Sequence, residues 1–365
     1  MAGAVLPPAP VPEQDERMTG QLPACLLHCL LVLSVLLLGG CWFDSGLTGQ
    51  LDEYRTRLAR VTDSEFSAPQ DDDTDILRFP AGGQLYQKVA PFNVNLRQFY
   101  QLQNCELGAL VAQRNTAVGK TAQPSQRFIY EDALLDALDR CRQQLPDNPQ
   151  LVSQLSNWLA AKQAQRPALW ANLVQTSEET RAAFSRPETL LTKDDNRDAG
   201  VSVSALQFLA GLKNNRQQSL DTLEQELKYL DSSRLPAKIW RTQAVITHQL
   251  NTLTAQLRPV LSEQACPAGK ASDQVEILRN VFYLFFIEQV QPVGSVLNQY
   301  HYRLMPVWQA WLEDPALAES FRAYLHQHAV TGFAAYQQAI HAHVSLWQEL
   351  FARCNLSPVA PKAGS

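Results

Sequence analysis

Arg114, Lys120 and Arg127 place three cations in one short stretch of a chain whose net charge is −5. Asn115 and Ser125 stand beside them as neutral hydrogen-bond donors. A guanidinium grips a carboxylate or phosphate through a planar fork of N–H groups, and an ammonium adds a point charge. The group therefore suits an anion carried on a glycan, a lipid or a protein partner. The same residues admit a structural account. Arg114 and Asn115 would close the carboxyl end of a helix, Gly119 would supply a positive φ, and Arg127 would pair with Glu131 one turn along. On sequence alone both accounts stand.

Other chemistry-bearing patterns fall short. Gly119-Lys120-Thr121 ends like a phosphate-binding loop, but Arg114 stands where its first Gly is required. His326 and His328 are two apart, as are His341 and His343. On a helix that spacing turns side chains about 200° from each other, so neither pair chelates a metal, and all four read as surface or rim residues. The acidic run Asp71 to Asp75 has Ile76 and Gly82 where a calcium loop needs Gly and Glu, so it reads as a solvated linker. Neither a Gly-x-Ser-x-Gly elbow nor a Cys-x-x-Cys-His haem attachment occurs. No catalytic residue, cofactor or metal is expected. A pI near 5.8 excludes the basic field that nucleic-acid binding requires.

Residues 26 to 40 form an apolar run followed by Cys41. The run is too short to span a bilayer comfortably and fits the core of a signal peptide. Its end, Leu38-Gly39-Gly40-Cys41, resembles the lipobox of bacterial lipoproteins. That resemblance implies cleavage before Cys41, lipidation of its thiol, and a membrane anchor. Trp42 stands where Asp would signal retention in the inner membrane, so the outer membrane, facing the periplasm, is the expected destination. Residues 18 to 40 contain no Lys or Arg, which makes Met18 a candidate start. With Cys25 and Cys29 in the signal and Cys41 lipidated, Cys105, Cys141, Cys266 and Cys354 remain, enough for two disulfides in an oxidising compartment.

The elements that would position these residues are helices. The chain holds 52 Leu and 36 Gln against 16 Gly, a composition that favours helix over sheet. A short helix fits Leu51 to Val61 ahead of the linker, and from Pro91 the helical period dominates. The spacing predicts helices from Pro91 to Val111, Ile129 to Leu145, Asn148-Pro149 to Phe184, Val203 to Leu230 and Pro236 to Leu261. Asp273 with Glu276 reads as a capping box ahead of a buried helix over Val281 to Ile287. Pro292 and Pro306 should break or kink the chain beyond that helix, and Asp314-Pro315 opens a last helix through Trp347. The expected organisation is a signal peptide (1–40), a lipidated Cys with short helix and linker (41–90), a helical domain (91–355) and a disordered tail (356–365). The fold class is all-α, a disulfide-stapled multi-helix bundle. In an antiparallel hairpin turning near residue 123, Cys105 and Cys141 come level and should pair. Cys266 and Cys354 both fall at helix ends and can meet there.

Asn104-Cys105-Glu106-Leu107, Arg114-Asn115-Thr116-Ala117-Val118-Gly119-Lys120 and Ser125-Gln126-Arg127-Phe128-Ile129-Tyr130-Glu131 succeed one another after the lipobox. Tyr300-His301-Tyr302-Arg303 marks an aromatic-rich second half. This series resembles an uncharacterised Gram-negative lipoprotein family, domain of unknown function 3080. The resemblance implies no activity, substrate or catalytic residue. The expected function is a binding or scaffold module of the envelope with a protein or glycan partner. The alternatives are an envelope enzyme or accessory factor acting on peptidoglycan or lipid, and a carrier of an apolar ligand.

Overall fold

Leu47, Leu51, Tyr54 and Leu58 recur at helical spacing, and all four are buried on one face of α1 (Leu47–Thr62). The structure, a computed structural model, describes residues 46–69, 77–91, 93–114, 116, 121–194, 196–216, 218–264 and 266–357. The signal segment, Cys41, the acidic run from Asp71 to Asp75, Asn115, Gly119, Lys120 and residues 358–365 lie outside the described residues. Those described contain helix and no strand. The helix expected within 41–90 is no peripheral spacer, because Tyr54 and Leu58 are fully enclosed by the main core.

A short turn, α2 (Gly82–Leu85), leads to α3 (Leu96–Leu102) and α4 (Leu107–Arg114). Then come α5 (Pro124–Gln144), α6 (Pro149–Thr176), α7 (Glu178–Ser185), α8 (Ala199–Gly211), α9 (Leu220–Ser233) and α10 (Leu235–Ser262). Two long composite helices complete the bundle. The first joins α11 (Asp273–Val281), a π segment (Phe282–Val290) and α12 (Gln291–Leu312). The second joins α13 (Glu319–Leu325), a π segment (His326–Thr331) and α14 (Gly332–Arg353).

The side chains form two cores. The main one is aromatic: Phe184 lies within ring-stacking distance of Trp240, Trp308 and Trp311, at centroid separations of 5.4, 5.6 and 6.3 Å. Such pairs add about 0.5–1.5 kcal/mol each beyond the area they bury. The smaller core gathers Leu102, Leu107, Val111, Leu134, Leu138, Leu151 and Leu155 from α3 to α6. Helix α6 serves both, its first half in the small core and Leu169, Trp170 and Leu173 in the large one. Pro167 sits inside it.

Cys105 pairs with Cys141 at a Cα separation of 5.5 Å, and Cys266 with Cys354 at 5.2 Å. Both pairings are the expected ones, but the helix expected to carry Cys105 is interrupted there. Cys105 occupies a bend between α3 and α4, where Gly108 passes so close that a Cβ on it would lie 2.7 Å from the Leu102 carbonyl oxygen.

Several boundaries differ from the sequence reading for local reasons. The first main helix begins at Asn95, whose side chain accepts from Gln98 N, and not at Pro91. Asn148 caps α6 as expected by accepting from Leu151 N, but that helix breaks at Ser177, whose hydroxyl donates back to Leu173 O. The span from 203 to 230 is two helices, not one. Ser272, and not Asp273, caps α11, with Asp273 and Glu276 in its first turn facing the dipole. The apolar run is helical, yet only one face is enclosed: Phe282 and Phe286 are buried while Leu284 is 43% exposed. Pro292 follows directly on the π segment within a continuous helix, and α12 runs on through Pro306, so neither proline breaks the chain. Asp314 accepts from Ala316 N in a turn, and the last helix starts only at Glu319.

Candidate functional site

Arg114 ends α4 and Arg127 stands in the first turn of α5, and both line one cleft of about 490 Å³. Leu110, Ile129, Ala133 and Leu220 supply apolar lining, with Gln113 and Gln126 as neutral polar groups. Tyr130 also lines it, its hydroxyl donating to Leu110 O at 3.1 Å, which ties α5 to α4. Burial, and then the nearby Glu131 carboxylate, pushes the Tyr130 phenol up to about 12, while Arg114 and Arg127 pull it the other way. The tyrosine is therefore neutral at ordinary pH, and the positive charge at the cleft comes from the two arginines. An apolar floor beneath guanidinium groups suits an anion attached to an apolar body.

The five residues singled out in the sequence are not one cluster. Arg114 and Arg127 come together. Asn115 and Lys120 lie outside the described residues. Ser125 is excluded from the cleft: it faces the other way, its hydroxyl donating to Glu224 Oε1 at 3.4 Å, because the first turn of α5 points it at α9. Arg127 also makes the expected i, i+4 pair with Glu131, at 3.5 Å. The structural account of Arg127 is thus realised alongside its place in the cleft.

Behind the cleft lies a buried ionic layer that the sequence reading missed. Glu131 accepts from Lys162 Nζ at 2.8 Å, with both side chains only 4% exposed. Its neighbour Asp132 takes a two-pronged contact from Arg166, at 2.7 and 2.9 Å. Arg166 also donates to the carbonyls of Leu212, Lys213 and Asn215 and lies over the Phe128 ring. Burial raises the Asp132 carboxyl, and Arg166 opposes that rise. Lys162 and Arg166 fall on the stripe Leu151, Leu155, Leu159, Leu169, Leu173, where a charged residue must find a partner or stay in water. That break in an apolar stripe was the available signal.

His343 was also misplaced as a rim residue. It is fully buried on the stripe Phe333, Tyr336, Ala339, Leu346 and Leu350. Trp347 Nε1, which can only donate, approaches Nε2 at 3.2 Å, and Tyr54 Oη lies 2.9 Å from the same nitrogen. Nε2 is therefore the acceptor, and Nδ1–H donates to Thr254 Oγ1 at 2.9 Å. Burial holds this imidazole down to about 3. His301, also buried, is held down to about 4. Among the described residues no three His, Cys, Asp or Glu side chains gather as a metal site, and no helix is long and apolar enough to cross a membrane.

The family described as protein of unknown function, DUF3080, matches residues 51–358. The chain belongs to that family. No curated protein and no solved structure matches it. The DUF3080 match begins inside α1 and ends just beyond Cys354, so it takes in both cores, both disulfides and the arginine cleft.

Proposed function

We propose that this DUF3080 protein is a lipid-anchored binding module of the cell envelope, tethered through Cys41 and facing the periplasm from the outer membrane. Its ligand site is the arginine cleft at the end of the disulfide-stapled hairpin. The observation that carries the reading is the convergence of Arg114 and Arg127 over an apolar floor in a cavity of about 490 Å³. The Cys105–Cys141 bridge supports it, because a site ordered in advance loses less entropy on binding. The chemistry matches a carboxylate or phosphate on an envelope glycan, lipid or protein.

Two measurements test this. Cells fed a clickable fatty acid should label the wild type and not Cys41→Ser; equal labelling defeats the anchor. Crosslinking in native envelopes should recover a partner with wild type and lose it with Arg114→Ala, more completely at higher salt. Should Arg114→Ala melt lower and recover the same partners, Arg114 serves the fold and the cleft is no site.

A further inference from the structure

A cavity of about 1020 Å³ forms a groove along α10 that runs to the π segment before α14. It is separate from the arginine cleft, with which it shares no residue. We infer that this groove is a second ligand site, and that it takes a hydroxyl-rich chain of N-acetylated sugars.

Gln243 is the starting point. It lines the groove at 2% exposure. Its Nε2 donates to the His328 carbonyl, and its Oε1 meets no donor among the described residues. A buried acceptor left without a donor is destabilising, and a ligand hydroxyl or amide N–H would supply the missing bond.

The backbone is shaped around this side chain. In the π segment the N–H of Gly332 bonds to Gln327 O, five residues back. The His328 carbonyl, which an α-helix would give to Gly332, is thereby left for Gln243. Such single-turn widenings recur at functional sites. Gly332 keeps the space open, since a Cβ there would lie 2.6 Å from Gln243 Nε2.

The lining chemistry selects the ligand class. Thr247, Gln249, Asn251 and Gln327 join Gln243 along the groove. Carboxamides and hydroxyls both donate and accept, as do the hydroxyls and acetamido groups of an amino sugar. His328 adds no charge: its ring stacks on Trp240 at 5.3 Å, and burial holds it down to about 4. Arg78 and Arg241 add N–H donors from which sugar hydroxyl oxygens can accept, and Glu188, which also pairs with Arg234 at 3.0 Å, adds an acceptor. A peptide strand would want a sheet edge or a row of apolar pockets, and no strand exists among the described residues.

The test uses the full chain in detergent with chitotetraose as probe, read by saturation-transfer NMR and by titration calorimetry. Wild type should bind with a Kd of about 1 mM or tighter. Gln243→Leu should abolish binding. Because that variant removes a buried bond, the exposed pair Asn251→Ala with Gln327→Ala provides the second reading. It should weaken binding at least about tenfold at an unchanged Tm, while Arg114→Ala binds as wild type does. Absence of transfer at about 10 mM sugar, or equal binding by wild type and both groove variants, overturns the inference. So does an alanine pentapeptide that binds in this groove where the sugar does not.

Discussion

His343→Gln is the sharpest perturbation of the core. Wild-type His343 is neutral in the folded chain, held down to about 3, while an unfolded histidine titrates near 6.5. Between those values the unfolded chain binds a proton that the folded chain refuses. Stability is therefore fully present above about pH 6.5 and is lost as pH falls, by about 1.4 kcal/mol per pH unit. From pH 7 to pH 5 the loss from this residue comes to about 2 kcal/mol. His301 and His328 act in the same direction and remain in the variant. A glutamine side chain at this position has no proton to refuse. At pH 7 the variant should be less stable by about 1–3 kcal/mol, because Tyr54, Thr254 and Trp347 lose a well-placed partner. At pH 5 that deficit should shrink by about 2 kcal/mol. Urea unfolding followed by tryptophan fluorescence at the two pH values measures it, since Trp347 and four other tryptophans are fully enclosed. A deficit of the same size at both pH values would refute the neutral buried imidazole.

Glu131→Gln should cost about 3–5 kcal/mol in urea unfolding by leaving Lys162 buried without its counter-charge, and adding Lys162→Met should restore most of it. Replacing Cys105 and Cys141 together by Ala opens a loop of sequence separation 36 and should lower stability by roughly 4 kcal/mol, measured against the reduced and oxidised wild type. Gly108→Ala should lower Tm by a few degrees, an effect of about 1–3 kcal/mol, because the added methyl meets backbone at Leu102 rather than a movable side chain.

The helices were legible because one face of each repeats apolar residues. Leu47, Leu51, Tyr54 and Leu58 announce α1 as plainly as Leu134, Leu138 and Cys141 announce α5. Cys105 and Cys141 were legible as partners because an antiparallel hairpin equates positions equidistant from its turn, and Cys266 and Cys354 because both fall at helix ends. Helix junctions were not. Whether Pro306 ends a helix or sits within one depends on what packs around it, and the choice between Ser272 and Asp273 as cap turns on a single residue of register. The arginine cleft was half legible: periodicity puts Arg114 and Arg127 at facing helix ends, but it carries no sign that Ser125 turns toward Glu224. Gln243 gave no sign at all. A glutamine in a long helix of a glutamine-rich chain becomes notable only when another helix, far along the sequence, presents a carbonyl to it.

Helices α5 and α6 both reach into the two cores, α5 through Phe128 and Leu134, and in α6 Pro167 interrupts the ladder between the halves that serve each core. Proline has no N–H, so the carbonyl of Gln163 loses the partner it would have in an unbroken helix. The weak point falls beside Lys162 and Arg166, whose ion pairs fasten α5 to α6. The two halves should therefore differ in their resistance to local opening. In hydrogen exchange, amides from Leu151 to Leu159 should open through an excursion in which the stapled hairpin loosens and the aromatic core stays shut. Amides from Leu169 to Gln175 should exchange only when the whole bundle comes apart. A partner that seizes the hairpin end would slow the first set and leave the second untouched.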